Sequence, residues 1–170
     1  EVRQWLAESK TVRFAVLSSP FWQYMEDGQL LIDGRLHDAS MDVAAEYMHR
    51  TLNELKGMGI TPVVFSPTPQ DGNNVGRCLV KAEFFGVDVT ACDFSQEDVT
   101  ERSTAVSAWL ARIAETQDVV FLSDGMCPAG QCLASIDGTF IYRDKGHLSQ
   151  EGSAFLGKRM GFRGLVTRVP

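Results

Sequence analysis

Pro62-Val63-Val64-Phe65, closed by Ser66-Pro67, is a short apolar run without the polar alternation of a half-exposed strand. Such a run fits a strand buried on both faces of a parallel sheet. Val12-Arg13-Phe14-Ala15-Val16-Leu17, stopped by Ser18-Ser19-Pro20, and Val119-Val120-Phe121-Leu122, stopped by Ser123-Asp124-Gly125, read the same way. Val87-Asp88-Val89-Thr90 is a fourth strand candidate. Helical patterns lie between these runs. Met41 to Lys56 places Ala44, Met48, Leu52 and Leu55 on one stripe and meets its stop at Gly57 and Gly59. Asn74 to Phe85 is a shorter helix ending at Gly86, and Asp71-Gly72-Asn73-Asn74 reads as the turn before it. Ser95 with Asp98 resembles a capping box opening a helix to about Thr116, with Val99, Val106, Trp109, Leu110 and Ile113 on its apolar side. Ser149 is placed to cap a last helix through Glu151, Ala154, Phe155, Leu156 and Met160. Strands alternating with helices predict an α/β fold with right-handed crossovers, a three-layer sandwich around a parallel sheet. In such sheets ligands sit beyond the carboxyl ends of the strands.

The chain has 170 residues, enough for one domain with a proper core. With 44% hydrophobic and 22% charged residues it falls in the globular class rather than the disordered or fibrous ones. Its 16 basic against 22 acidic residues leave a net charge of −6, which argues against a nucleic-acid partner and against an anionic membrane surface. No apolar run approaches the ~18 residues of a membrane-spanning helix. No signal peptide opens the sequence, and it begins at Glu1 rather than Met, as a processed chain or a piece of a longer one would.

Cys78, Cys92, Cys127 and Cys132 make an even count that suits two disulfides, with free thiols as the alternative. Cys127 and Cys132 flank Pro128-Ala129-Gly130-Gln131, a turn-rich stretch able to bring their side chains together. Zinc is the weakest reading, because no Cys-x-x-Cys occurs and the three histidines are scattered. Disulfides would place the chain in an oxidising compartment such as a periplasm.

The segment richest in chemistry is Tyr142-Arg143-Asp144-Lys145-Gly146-His147-Leu148-Ser149. On a tight turn, Asp144 and His147 reach a shared centre. An imidazole there can take a proton from a serine hydroxyl while the carboxylate fixes its tautomer and stabilises the imidazolium. By itself the spacing is a weak signal, since an exposed histidine before a helix is commonly just solvated. Ser18 and Ser19 follow a strand as a nucleophile would, but no Gly-x-Ser-x-Gly elbow surrounds them and Pro20 follows at once. Small residues there also serve simply to line a pocket. Trp22 and Tyr24 are candidates for an acyl or glycan pocket or for the core, His37 is read as a loop residue, and His49 as a polar residue of the Met41 helix.

The longer string Cys127-PAGQ-Cys132-LASIDGTFIYRDKGHLSQEGSAFLG157 resembles the C-terminal end of SGNH (GDSL-type) hydrolase-fold domains. It is most similar to those fused to, or working with, integral-membrane acyltransferases that O-acetylate bacterial surface glycans. The segment from Val12 to Tyr24 resembles a central strand and loop of the same group, and the likeness extends from about Val12 to Gly161. The resemblance implies that Asp144 and His147 are triad members, that an acetyl group passes from a membrane partner to a serine and then to a sugar hydroxyl, and that no metal or organic cofactor is needed. It implies a periplasmic or extracytoplasmic location, tethered to the inner membrane in the parent protein. The pairs Cys127–Cys132 and Cys78–Cys92 are expected to be bonded.

One departure bears on the mechanism. The family opens with a strand ending in Gly-Asp-Ser, which supplies the nucleophile, and no Gly-Asp-Ser occurs here. The family's Gly-x-Asn-Asp element is likewise not evident. The expectation is therefore a single SGNH-like domain over 1–170, lacking its first strand and helix, whose nucleophile lies on a missing N-terminal segment. On this reading the chain alone is inactive. The rival functions are a glycan O-acetyl esterase and a non-catalytic glycan-binding or scaffold domain.

Overall fold

The computed structural model describes residues 2–26 and 28–167. In chain order the elements are α1 (Val2–Glu8), β1 (Phe14–Ser18), β2 (Gln29–Ile32), β3 (Arg35–Asp38), α2 (Met41–Gly57), β4 (Thr61–Phe65), α3 (Val75–Phe85), β5 (Phe94–Ser95), α4 (Glu101–Ala114), β6 (Val119–Val120), α5 (Ser123–Met126), β7 (Gln131–Cys132), β8 (Ser135–Ile136), β9 (Thr139–Phe140), α6 (Gln150–Arg159) and α7 (Phe162–Val166). The expected α/β fold with a parallel sheet is present. Two compact units divide the chain. One holds the residues up to Ser66 with Ala105–Val120, and the other Pro67–Thr104 with the residues from Phe121 onward.

The first unit contains the parallel sheet, in the order β1-β4-β6. The central strand β4 pairs with β1 from Phe14↔Thr61 to Ser18↔Phe65, and with β6 at Val64↔Val119 and Phe65↔Val120. Val63 and Val64 are 1% and 0% exposed, so the run that lacked alternation is covered on both faces. Pro62 is tolerated there for a positional reason. Thr61 N–H faces β1, donating to Arg13, while Val64 and Ser66 N–H face the other side, donating to Asp118 and Val120. The imide nitrogen of Pro62 shares the side of Val64 but lies beyond the first bonded residue of that neighbour, where no donor is needed.

Ser40 caps α2, its Oγ accepting from Val43 N–H at 3.2 Å, and Ala44, Ala45, Leu52 and Leu55 are buried. Complete burial of one such leucine contributes about 2 kcal/mol. From Ala105 onward α4 buries Val106, Trp109, Leu110 and Ile113, and Trp109 Nε1–H donates to the Met41 carbonyl at 3.2 Å. Phe21 packs on Trp109 at 5.4 Å between ring centroids, and its φ of 60° with ψ of −34° is a sparsely populated backbone conformation costing about 1–3 kcal/mol, offset by burial of the ring.

Several expectations are corrected in this unit. The 29–38 segment is a β2–β3 hairpin turning at Asp33-Gly34, whose φ values of 49° and 78° are both positive, as a type I′ turn requires. His37 accordingly lies in β3 opposite Leu30, its ring 5.6 Å from that of Tyr47, and not in a loop. The third strand stops at Val120, because Leu122 already leads into α5.

In the second unit Asn74 caps α3 through Arg77 N–H at 2.9 Å, and Gly86 ends it in the left-handed conformation. The Val87–Thr90 run is not a strand. Asp88 Oδ1 accepts from both the backbone N–H and the hydroxyl of Thr90 at 2.9 Å, winding Val89–Cys92 into a 3₁₀ turn. The Cys78–Cys92 disulfide holds that turn against α3. Ser95 also caps a 3₁₀ turn, Gln96–Asp98, rather than the long helix. Val99 is extended, and α4 starts after Thr100, whose Oγ1 accepts from Ser103 N–H at 3.3 Å. Short antiparallel pairs β5–β7 and β8–β9 complete the unit, the latter turning at Asp137-Gly138 with φ of 49° and 77°. Ser149 caps α6 as expected, through Gly152 N–H at 2.8 Å, although only Gly152 and Leu156 of that helix are buried.

Candidate functional site

The turn between β9 and α6 is closed by Arg143 N–H donating to the His147 carbonyl at 2.8 Å, beside a bridge between Tyr142 and Leu148. Inside it, Asp144 Oδ1 accepts from Gly146 N–H and His147 N–H, each at 3.0 Å. Both carboxylate oxygens lie 3.0 Å from His147 Nδ1, and Arg143 Nε and Nη2 each reach Oδ2 at 3.2 Å. The Gly146 N–H, then the His147 N–H, with smaller help from the imidazole and the Arg143 guanidinium, hold the Asp144 carboxyl well below the usual carboxylate range, against the effect of burial. Asp144 is therefore an ionised acceptor at neutral pH. The neutral imidazole must then carry its proton on Nδ1, which leaves Nε2 as a lone-pair acceptor. The His147 side chain is 74% exposed, so Nε2 is open to an incoming hydroxyl.

The turn is fixed by residues far away in sequence. Thr68 Oγ1–H donates to the Gly146 carbonyl at 2.5 Å, and the buried Tyr142 hydroxyl donates to the Pro69 carbonyl at 2.9 Å. Burial, with the charge of Asp71, pushes the Tyr142 phenol up, so it stays protonated as this bond requires. Gly76 N–H donates to the Asp144 carbonyl at 3.2 Å, an approach so close that a Cβ on Gly76 would meet Arg143 O at 2.1 Å. A Cβ on Gly146 would meet the Gln70 amide at 2.3 Å. Thr68, Gly76 and Gln70 carry no sequence signal for this role, because their partners lie in another segment, and Tyr142 is legible only as part of the turn itself.

Ser18 and Ser19 belong to the first unit. They line a mainly apolar cavity of about 670 Å³ together with Val16, Leu17, Tyr24 and Trp109. Among the described residues neither histidine of that unit, His37 or His49, hydrogen-bonds to either serine, and Ser19 Oγ accepts from Phe21 N–H at 3.4 Å. Tyr24 is therefore a cavity residue, while Trp22 is half-buried outside the lining. All four cysteines are in disulfides, Cys78–Cys92 and Cys127–Cys132, which fits an oxidising, extracytoplasmic compartment and removes them as thiolate ligands. Among the described residues no helix is long and apolar enough to cross a membrane.

Residues 1–161 match the family model of the SGNH domain fused to AT3 domains. The chain belongs to that family. No curated protein matches this SGNH domain. Among solved structures, it is similar to the periplasmic domain of a lipopolysaccharide acetyltransferase from Salmonella ser. Paratyphi A, with a TM-score of 0.60 and 14% identity over 89% of the present chain. The SGNH domain spans 56% of that chain's length, and at this identity the likeness speaks for the fold alone.

Proposed function

We propose that this SGNH domain moves acetyl groups onto a glycan of the bacterial envelope through a serine acyl-enzyme, with His147 as base and acid and Asp144 as its orienting carboxylate. The observation that carries the reading is the dyad itself: an exposed imidazole held through Nδ1 by an ionised carboxylate, with Nε2 left free. In the first half-reaction Nε2 takes the serine proton as the serine oxygen bonds to the acyl carbon, and the imidazolium returns that proton to the leaving oxygen. In the second, a sugar hydroxyl gives its proton to Nε2, bonds to the acyl carbon, and the serine oxygen recovers the proton. Each half-reaction forms one ester bond and breaks one.

The nucleophile is placed on a Gly-Asp-Ser segment outside these 170 residues, which themselves hold none. Supporting this, β1 pairs with β4 on one side only among the described residues, so its other edge carries no strand pairing. Members of this family are fused to AT3 domains; on this reading that domain is the acyl supplier and holds the SGNH domain at the outer side of the inner membrane. The test is to give the full-length protein an acetyl ester with and without an envelope polysaccharide and to count acetyl groups on the polysaccharide by mass spectrometry. Acetylated polysaccharide supports the proposal. Acetate alone in both reactions replaces transferase with esterase, and no turnover alongside polysaccharide binding leaves a binding module.

A further inference from the structure

We infer that Thr68 is a positioning residue for His147, acting through the peptide bond that joins Gly146 to His147; the inference rests on the dyad being the reactive pair. The carbonyl of Gly146 and the N–H of His147 belong to one rigid planar group. Thr68 Oγ1–H holds the carbonyl end at 2.5 Å, and Asp144 Oδ1 holds the N–H end at 3.0 Å. The plane is thus clamped from opposite sides, and its rotation sets where the His147 Cα, and hence the imidazole, sits over the carboxylate.

The clamp is built rather than incidental. Thr68 is 6% exposed, one of two buried polar side chains among the described residues, and its partner lies 78 residues along the chain. A second bond of the same kind, Tyr142 hydroxyl to Pro69 carbonyl, ties the adjacent residue of the same segment to the start of the same turn. The absence of a side chain at Gly146 lets Gln70 lie against the peptide from that segment too. A hydroxyl donating to a carbonyl also polarises the amide, strengthening the N–H bond to Asp144 at the far end of the plane.

Removing the hydroxyl at constant shape, Thr68→Val, leaves the peptide held from one side. The expected result on a model acetyl ester, in the full-length protein, is a fall in kcat of about tenfold or more with KM little changed, because the imidazole is misplaced rather than the substrate site altered. Thr68→Ser, which keeps the hydroxyl, restores the rate. A second readout is independent of turnover. Ring ¹⁵N shifts of His147 in the labelled 170-residue chain report the tautomer, and Thr68→Val shifts population from the Nδ1-protonated toward the Nε2-protonated form. Should Thr68→Val fail to fold, Thr68→Ala carries the same test. Unchanged ¹⁵N shifts and rate in Thr68→Val, or a Thr68→Ser variant as impaired as Thr68→Val, would overturn the inference. If the wild-type protein turns over no ester, the acyl-transfer reading fails, while the ¹⁵N shifts still decide the role of Thr68.

Discussion

Replacing Gly76 by alanine tests how tightly α3 is pressed against the dyad turn, because two physical effects of opposite sign compete there. Alanine is the better helix former by about 1 kcal/mol, so helix propensity alone predicts a gain. The packing predicts a loss. The new Cβ would lie 2.1 Å from Arg143 O, 2.3 Å from Arg143 C and 2.7 Å from Asp144 N, all backbone atoms that cannot swing aside. Relief requires α3 and the turn to separate until these contacts exceed 3.0 Å, which also breaks the Gly76 N–H bond to the Asp144 carbonyl. Overpacking costs about 1–3 kcal/mol and the lost bond about 1 kcal/mol. After subtracting the propensity gain, the net destabilisation is about 1–3 kcal/mol. With a urea m-value of roughly 2 kcal/mol/M, the unfolding midpoint drops by about 0.5–1.5 M. Gly57→Ala, at the end of α2 with nothing within 4 Å of its Cβ, is the control and should be neutral or slightly stabilising. A Gly76→Ala protein as stable as wild type would refute the close approach and the support it gives to Asp144.

Three further outcomes follow from the same structure. Thiol titration of the unfolded, unreduced protein should find no free cysteine, and Cys78→Ser with Cys92→Ser, which opens a loop spanning 14 positions, should cost about 3 kcal/mol in urea unfolding. Asp144 binds protons less readily folded than unfolded, so its stabilisation is complete above the ordinary value of 3.8 and is lost as pH falls below it. The stability gap between wild type and Asp144→Asn should accordingly close on acidification below about pH 4; a gap that persists undiminished well below the ordinary value of 3.8 would contradict a carboxylate held ionised by the turn. Gly34→Ala meets no atom within 4 Å but forces alanine to a φ of 78°, so urea unfolding should show a loss of about 1 kcal/mol from backbone strain alone.

The buried strands were legible because β4 lacks alternation, and the dyad because Asp144 and His147 sit within one turn whose bonds are local. The two Asp-Gly hairpins at Asp33-Gly34 and Asp137-Gly138 carry a turn signal in the dipeptide itself, but their flanking strands are only four and two residues long, too short to show a clear alternation. The Val87–Thr90 run misled because its β-branched residues are overruled by the Asp88 cap and by Cys92 being tied to Cys78. Ser95 and Thr100 both carry capping hydroxyls, and the extended backbone at Val99 decides which of them starts α4. Thr68 and Gly76 carry no local signal, because their roles exist only through partners 78 and 68 positions away, and Tyr142, legible as part of the turn segment, has its anchoring bond to Pro69 73 positions away.

The central claim is that the imidazole of His147 moves the proton in acyl transfer. It is tested most directly by kcat/KM for acetyl-ester turnover in the full-length protein, wild type against His147→Ala, with circular dichroism to confirm that both are folded. The account predicts a loss of at least about 100-fold, the usual contribution of a positioned general base. A folded His147→Ala protein that retains wild-type turnover would contradict it.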